Sequence, residues 1–173
     1  MDFVSALDYR DSFTNLYLAA FPPEERRDAD AVFDMARSRP EFACHALRLD
    51  GAFAGLLTAW HLEGFDYVEH FAVEPHLRGR NLGGDAIDAF VALHDRPVVL
   101  EVEPPHAGEM ARRRIGFYER HGFELCRLPY VQPPYSPALP PVELRLMATG
   151  GILPAMFGHV CRRLRADVYG VAD

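Results

Sequence analysis

The segment from Tyr67 to Phe90 constrains the fold of this chain more than any other. Residues 67–73 form a short apolar run with aromatic and β-branched side chains, a pattern typical of a buried strand. Pro75 ends that run because proline has no N–H to donate to a sheet. A glycine-rich turn at residues 78–84 follows, and apolar residues then recur at helical spacing. The sequence therefore predicts a strand, a tight turn and a helix, in that order.

The glycine-rich turn also has the composition of an anion site. Its glycines can adopt positive φ, so that successive backbone N–H groups converge on one point. The start of the following helix adds unpaired N–H groups and the positive end of a helix dipole. Arg78 and Arg80 add forked donors suited to phosphate. From these residues alone, a phosphate cradle and an ordinary strand-to-helix turn are equal alternatives.

The order of residues within the turn separates these two readings. The run Val-Glu-Pro-His-Leu-Arg-Gly-Arg-Asn-Leu-Gly-Gly resembles the acyl-CoA pyrophosphate loop of the GNAT superfamily, the acetyl-CoA-dependent N-acyltransferases. The family places glycine where this chain has Asn81, and asparagine is the residue that best replaces glycine at left-handed dihedrals. The resemblance implies binding of acetyl-CoA by Phe71, Ala72, Val73, Arg78, Gly79, Arg80, Asn81, Leu82, Gly83 and Gly84.

A second segment carries the same resemblance. Residues 116–123 read Gly-Phe-Tyr-Glu-Arg-His-Gly-Phe, similar to the GNAT segment in which a helix carries a tyrosine and ends at Gly-Phe. The resemblance covers residues 52–128 clearly and the two ends by element order. With both segments at the family's spacing, the chain is identified as a member. The resemblance implies that Tyr118 is the general acid that protonates the departing thiolate.

The order of predicted elements gives the fold class. Two helices, three antiparallel strands, a helix, a strand, a helix and two strands predict an α+β fold with a GNAT-like mixed, mostly antiparallel sheet flanked by helices. An extra C-terminal helix is expected at about residues 154–169, and residues 1–173 are expected to form a single domain with an acyl-CoA core at about 52–128. The second helix is expected to begin at Glu24 and Glu25, and a strand is expected over 123–128 before a proline-rich segment.

Direct acyl transfer, the mechanism that the resemblance implies, also needs a base for the amine proton and a donor for the oxyanion. Similarity points to the Val73 N–H as the donor. Glu69 on the predicted central strand is the first candidate base, with Glu103 and Glu101 in reserve. His70 competes from the opposite face of that strand, since alternate residues of a strand point to opposite sides.

Acidic residues suggest the kind of acceptor. Glu24, Glu101 and Glu103 would favour a cationic amine, such as a small amine, an amino sugar or a peptide lysine. In this superfamily the segment at residues 21–27 lines the acceptor groove. Side chains of the proline-rich segment could form its other wall, namely Tyr130, Gln132 and Tyr135.

Composition narrows the remaining classes. The net charge of −7 is unlike that of a nucleic-acid-binding protein. The chain has no lysine, which excludes Schiff-base chemistry and the lysine of a phosphate-binding loop. Its three scattered cysteines and eight histidines show no metal-site spacing, so we expect no metal, and free thiols suit a reducing, cytoplasmic compartment. No leader or membrane span is expected.

Two questions stay open from the sequence. A non-catalytic acyl-CoA-binding protein or sensor on the same fold is the alternative to an enzyme. Assembly as a homodimer is also open, because nothing in the sequence decides the oligomeric state.

Overall fold

The computed structural model describes residues 1–171, and these form two compact units. The first unit contains Met1–His61 and Val68–Leu93, and the second contains Leu62–Tyr67 and the chain from His94 onward. Helices flank strands in both units, so the α+β class predicted from the element order, with a mixed and mostly antiparallel sheet, is confirmed.

The first unit contains four strands in sheet order β1-β2-β3-β4. They are β1 at Asp2–Ser5, β2 at Phe42–Leu49, β3 at Ala52–Leu62 and β4 at Phe65–Val73, with the last residue of β3 and the first three of β4 belonging to the second unit. Both β1 and β3 pair antiparallel with β2. The predicted Asp-Gly turn joins β2 to β3, with Asp50 at φ 51° and Gly51 at φ 83°. Positive φ at both positions matches the twist of a hairpin.

Three helices belong to the first unit. They are α1 at Arg10–Ala20, α2 at Ala29–Ser38 and α3 at Leu82–Leu93. Their apolar faces include the buried aromatic residues Phe13, Tyr17, Phe33 and Phe90. The expectation that the second helix begins at Glu24 was wrong. Pro23–Glu25 is a single 3-10 turn, and α2 begins later because the Asp28 carboxylate accepts the N–H groups of Asp30 and Ala31.

The second unit contains the remaining strands. They are β5 at Val98–Val102, β6 at Glu124–Leu125, β7 at Tyr130–Gln132 and β8 at Val142–Ala148. The order is β5-β8-β6, β7 also pairs with β8, and each of these pairs is antiparallel. The strand predicted over 123–128 is only two residues long, and the proline-rich segment contains a strand that we did not predict. Pro129 and Pro133 lie on either side of β7 and limit its length, because neither residue can donate to a ladder.

Two helices complete the second unit. Helix α4 covers Glu109–Arg120, and α5 covers Phe157–Arg163 and continues as a wider π-helical turn over Leu164–Val168. The extra C-terminal helix is therefore present, although it begins three residues later than predicted. Among residues 1–171, no helix is both long and apolar enough to cross a bilayer.

Candidate active site

The glycine loop, residues 78–84, joins β4 to α3 in the first unit. Gly79 has φ 79° and Asn81 has φ 59°, so both are left-handed, as predicted for an asparagine in the place of glycine. The Asn81 carbonyl accepts the Asp85 N–H at 3.0 Å, and the Asn81 amide donates to the Asp85 carboxylate at 3.0 Å. These two bonds fix the turn at the first residues of the helix.

The backbone N–H groups of the glycine loop are available to a ligand. Within the described chain, the N–H groups of Gly79 to Gly84 make no hydrogen bond. The last three belong to the first turn of α3, where the helix itself supplies no acceptor. The glycine loop therefore combines unpaired N–H groups with the positive end of the dipole of a twelve-residue helix.

The two arginines of the glycine loop behave differently. The Arg78 Nε donates to the carbonyl of Val73 at 3.1 Å, which ties the loop to the end of β4. Arg80 is exposed. The strand residues predicted to hold the cosubstrate's arm precede this tie, and Phe71 is half-exposed while Ala72 and Val73 are buried.

Gly55 allows β3 to lie close to the end of β4. A Cβ built on Gly55 would lie 2.4 Å from the Ala72 carbonyl oxygen and 3.2 Å from the Val73 Cα. Any larger residue would push the two strands apart at the candidate cosubstrate segment, so only glycine fits without a shift.

Glu69 of β4 is a fully buried carboxylate, with 0% of its side chain exposed. Its two oxygens accept hydrogen bonds from Arg27 Nε at 3.0 Å and from Trp60 Nε1 at 2.8 Å. The Arg27 guanidinium also lies 5.7 Å from the centre of the Trp60 ring. A charge-assisted hydrogen bond stabilises the ionised carboxylate, and the face of the Trp60 ring attracts the Arg27 cation. Arg27 lies in the segment expected to line the acceptor groove, but neither Arg27 nor Trp60 was predicted as a partner of Glu69, because no local pattern links these three residues.

His70 lies on the opposite face of β4, also in the first unit. Its Nε2 lies 3.0 Å from the Glu25 carbonyl oxygen, which requires a proton on that nitrogen. Its Nδ1 lies 3.2 Å from the Thr58 hydroxyl, which is then the donor. Burial lowers the pKa of His70, so the ring is neutral. With its lone pair occupied by Thr58, His70 is a poor competitor for the role of base.

Tyr118 lies on α4 in the second unit and is 8% exposed. Its ring packs against Phe117 and Phe123, with centroids 5.1 Å and 5.4 Å away. Burial raises its pKa to about 12, against a smaller lowering effect of Arg114. No hydrogen bond to its hydroxyl occurs among the residues described. Packing therefore fixes the Tyr118 ring, and its hydroxyl is protonated and makes no hydrogen bond to the described residues.

Glu101 of β5 lies at the centre of what we call the tyrosine cluster: Glu101, Tyr67, Tyr130 and Tyr169. Its Oε2 accepts hydrogen bonds from Tyr67 at 2.9 Å and Tyr169 at 2.8 Å, and its Oε1 accepts one from Tyr130. Burial and the Glu101 charge raise the pKa of Tyr130 and of Tyr169, so both hydroxyls stay protonated. Tyr67 and Tyr169 were missed from the sequence, where nothing marks them as neighbours.

The other two acidic residues proposed for the acceptor, Glu103 and Glu24, have different surroundings from Glu101. Glu103 pairs with Arg114 at 2.8 Å, and both side chains are well exposed to solvent. Glu24 is half-buried in the 3-10 turn between α1 and α2. Of the three residues, Glu101 accepts hydrogen bonds from three tyrosines, whereas Glu103 forms an ion pair at the surface.

Comparison with solved structures supports the assignment of the fold. A protein described as a GNAT-family acetyltransferase from Bacteroides thetaiotaomicron is 33% identical, with a TM-score of 0.93 over 99% of this chain and 100% of that chain. An aminoglycoside 6'-N-acetyltransferase complexed with coenzyme A is 18% identical, with a TM-score of 0.59 over 86% of this chain and 96% of that chain. A variant of the spermidine N-acetyltransferase SpeG from Vibrio cholerae is 12% identical, with a TM-score of 0.61 over 86% and 92%. The last two show the fold alone.

The family comparison agrees with the structural one. No curated protein matches the chain in sequence. The profile of the acetyltransferase (GNAT) family matches residues 10–123, which includes β4, the glycine loop and the Tyr118 helix. From this match, and from the 33% identity to the Bacteroides protein, the chain belongs to the GNAT family of acetyltransferases.

Proposed function

We propose that this chain transfers the acetyl group of acetyl-CoA to a primary amine. The observation that carries the proposal is the glycine loop, where the N–H groups from Gly79 to Gly84 make no hydrogen bond within residues 1–171. Such groups at a helix start bind a diphosphate, since each anionic oxygen can accept several of them. A solved relative of the same fold, the aminoglycoside acetyltransferase, is complexed with coenzyme A.

The cosubstrate is proposed to extend from the glycine loop along β4. Arg78 and Arg80 contribute charge near the diphosphate, and the segment Phe71 to Val73 offers backbone groups to the pantetheine arm, as an added strand would use them. We propose the Val73 N–H as the donor to the oxyanion. Acetyl-CoA activates its own carbonyl as a thioester, so the reaction needs no metal ion.

Tyr118 is proposed as the general acid and Glu69 as the base. The amine attacks the thioester carbonyl, a tetrahedral oxyanion forms, and its collapse breaks the carbon–sulfur bond. Tyr118 gives its proton to the departing thiolate, and the raised pKa keeps that proton in place at neutral pH. Glu69 takes the proton that the attacking nitrogen loses after it has become positively charged. Hydrogen bonds from Arg27 and Trp60 fix the positions of both Glu69 carboxylate oxygens, and this fixed position supports the role.

A cationic amine is the proposed acceptor, with Glu101 as the main recognition residue and Glu24 and Glu103 as outer contacts. Relatives of this fold include acetyltransferases named for aminoglycosides and for spermidine, both of which are amines. We further propose that residues 1–173 act as one catalytic domain, since the Bacteroides relative aligns over 99% of this chain. Three free cysteines support a reducing, cytoplasmic setting.

Release of free thiol from acetyl-CoA tests the proposal. We expect release to depend on a primary amine when the protein is offered alkylamines, amino alcohols, amino sugars and lysine peptides. Calorimetry with coenzyme A alone should give heat of binding. Absence of that heat would remove the proposed cosubstrate, whereas heat without amine-dependent thiol release would favour a binding protein that has lost turnover.

A further inference from the structure

Gln132 at the end of β7 carries a buried polar group that the protein leaves unsatisfied. The residue is 3% exposed, and its side-chain Nε2 has no hydrogen-bond partner within residues 1–171. A buried amide without a partner destabilises a protein, and such groups are rare unless water or a ligand pairs with them. The donor therefore indicates a place where an acceptor atom belongs.

The neighbours of Gln132 place it beside the tyrosine cluster. Alternate residues of a strand share a face, so Gln132 lies on the same side of β7 as Tyr130, whose hydroxyl donates to Glu101. Three residues later, the Tyr135 ring packs 5.2 Å from the ring of Tyr169, which also donates to Glu101. Tyr130 therefore belongs to the tyrosine cluster and Tyr135 packs against it, and both tyrosines lie in the second unit with Gln132.

This combination selects a ligand with two features. A carboxylate surrounded by tyrosine rings and hydroxyls suits an ammonium group, through charge and through the aromatic faces. The two hydrogens of a primary amide can only donate, so the partner of Gln132 Nε2 must be an atom with a lone pair. A hydroxyl or carbonyl oxygen a few bonds from the amine satisfies both groups at once.

We propose that Gln132 binds an oxygen atom of the acetyl acceptor, and that the acceptor class is therefore a primary amine bearing a nearby hydroxyl or carbonyl oxygen. The inference rests on the proposed function and narrows it, because it excludes plain alkylamines and simple polyamines as preferred acceptors. An amine without the oxygen leaves the buried amide unpaired in the complex, and this loss is what produces selectivity.

Matched pairs of acceptors test the inference. Amino alcohols with two to five methylenes between nitrogen and oxygen are compared with n-alkylamines of the same number of heavy atoms, using kcat/KM from thiol release. At the best spacing we expect the wild-type protein to prefer the amino alcohol by about tenfold or more. Gln132→Met, which keeps the shape of the side chain but removes the donor, should reduce that ratio to about one.

Two further variants separate recognition from folding. Gln132→Asn keeps the donor on a shorter side chain, so the preference should survive with its optimum shifted by about one methylene. Val131→Thr, on the exposed opposite face of β7, should leave the ratio unchanged. Circular dichroism of each variant verifies that it folds. If Gln132→Met does not fold, the shift of the optimum in Gln132→Asn still tests the inference.

The outcomes divide clearly. A wild-type ratio near one at every spacing, or a ratio that Gln132→Met does not alter, overturns the inference and assigns the amide to an internal water. If no amine is acetylated, the proposed function fails instead. The same amine pairs are then titrated into the CoA-loaded protein by calorimetry. A Gln132-dependent difference in Kd supports the inference, and its absence, including absence of binding, overturns it.

Discussion

Glu69 is held from two directions, and this arrangement determines what its substitution should do. Arg27 and Trp60 each donate to one of its oxygens, and water does not reach the side chain. A carboxylate in that position can accept a proton, anchor Arg27, or do both. The two roles predict different effects of substitution. If Glu69 is a base, loss of its carboxylate lowers the rate more than loss of Arg27 does. If Glu69 only anchors Arg27, the two losses have equal effects.

We expect Glu69→Gln to lower kcat by about a hundredfold, since an amide cannot take the amine proton. Arg27→Gln leaves the carboxylate in place and should cost less rate. Rates with saturating acetyl-CoA and thermal melting of both variants are the measurements. Equal losses of rate in the two variants, with equal falls in melting temperature, would make Glu69 an anchor of Arg27 and not a base.

Tyr118 presents a simpler case because its hydroxyl makes no hydrogen bond to the described residues. We expect Tyr118→Phe to lower kcat by about a hundredfold with little change in KM for acetyl-CoA, since the ring keeps its packing against Phe117 and Phe123. Tyr9→Phe, whose hydroxyl bonds the Gly51 carbonyl, is the control. A Tyr118→Phe enzyme as fast as wild type would leave another group as the acid.

The pKa of Tyr118 gives a pH dependence with a definite sign. Burial raises this pKa to about 12, so the hydroxyl keeps its proton to higher pH than a free tyrosine does. We therefore expect that ionisation of Tyr118 does not lower kcat between about pH 8 and pH 10. The pH profiles of kcat for the wild-type protein and for Tyr118→Phe should have the same shape in this range. A wild-type fall in that range that the variant lacks would show an acid of lower pKa than the buried ring allows.

At the scale of the element, the glycine loop depends on its backbone conformation and the hairpin turn between β2 and β3 offers a matched comparison. Gly79 and Gly51 have nearly the same dihedral, φ 79° and φ 83°, and neither would place a Cβ within 4 Å of another atom. Alanine at either position should therefore carry the same backbone strain, about 1 kcal/mol. Only one of the two positions belongs to the candidate cosubstrate site.

We expect Gly79→Ala to weaken coenzyme A binding by about tenfold or more, because strain relieved by a change in φ turns the loop N–H groups away from the diphosphate. Gly51→Ala should lose similar stability and keep its affinity. Calorimetry with coenzyme A and urea unfolding of both proteins are the measurements. Equal affinity in the two variants would contradict a diphosphate site in this loop.

At the scale of the whole molecule, His70 links stability to pH. It joins β4 to Thr58 of β3 and to the carbonyl of Glu25, and the Tyr17 hydroxyl of α1 lies 3.5 Å from its Nε2. Glu69 and the Glu25 carbonyl favour its charged form, whereas burial and Arg27 oppose it, and burial is the largest effect. The folded pKa therefore lies below the ordinary value of 6.5, and the unfolded chain binds this proton first.

We expect the stability that neutral His70 contributes to be complete above pH 6.5 and to fall as the pH drops towards the lower folded pKa. The free energy of unfolding should decrease by up to about 1.4 kcal/mol per pH unit in that window. Urea unfolding followed by the fluorescence of Trp60, the single tryptophan, reports on the same unit. His70→Gln should show a shallower dependence, and identical slopes for the two proteins would assign the pH effect to other groups.

Much of the fold was predictable because its signals lie within a few residues of each other. The strand before Pro75, the left-handed asparagine at position 81 and the hairpin at Asp50 and Gly51 each follow from local steric rules. The start of α2 and the short strand β7 were predicted wrongly or missed. Helix α2 begins after Asp28 because the carboxylate of Asp28 caps it, whereas the preceding glutamates do not. Strand β7 is only three residues long because it ends before Pro133, and its local pattern is therefore weak.

What the sequence by itself determined is the conformation of the glycine loop, since the dihedrals and unpaired N–H groups of residues 79–84 depend on neighbours in the chain. Only the tertiary structure decided the surroundings of Glu101 and of Glu69. Tyr67, Tyr130 and Tyr169 reach Glu101 from positions 34, 29 and 68 residues away, and Arg27 reaches Glu69 across 42. Backbone conformation is limited by local sterics, whereas a cluster of side chains exists only after folding brings distant segments together.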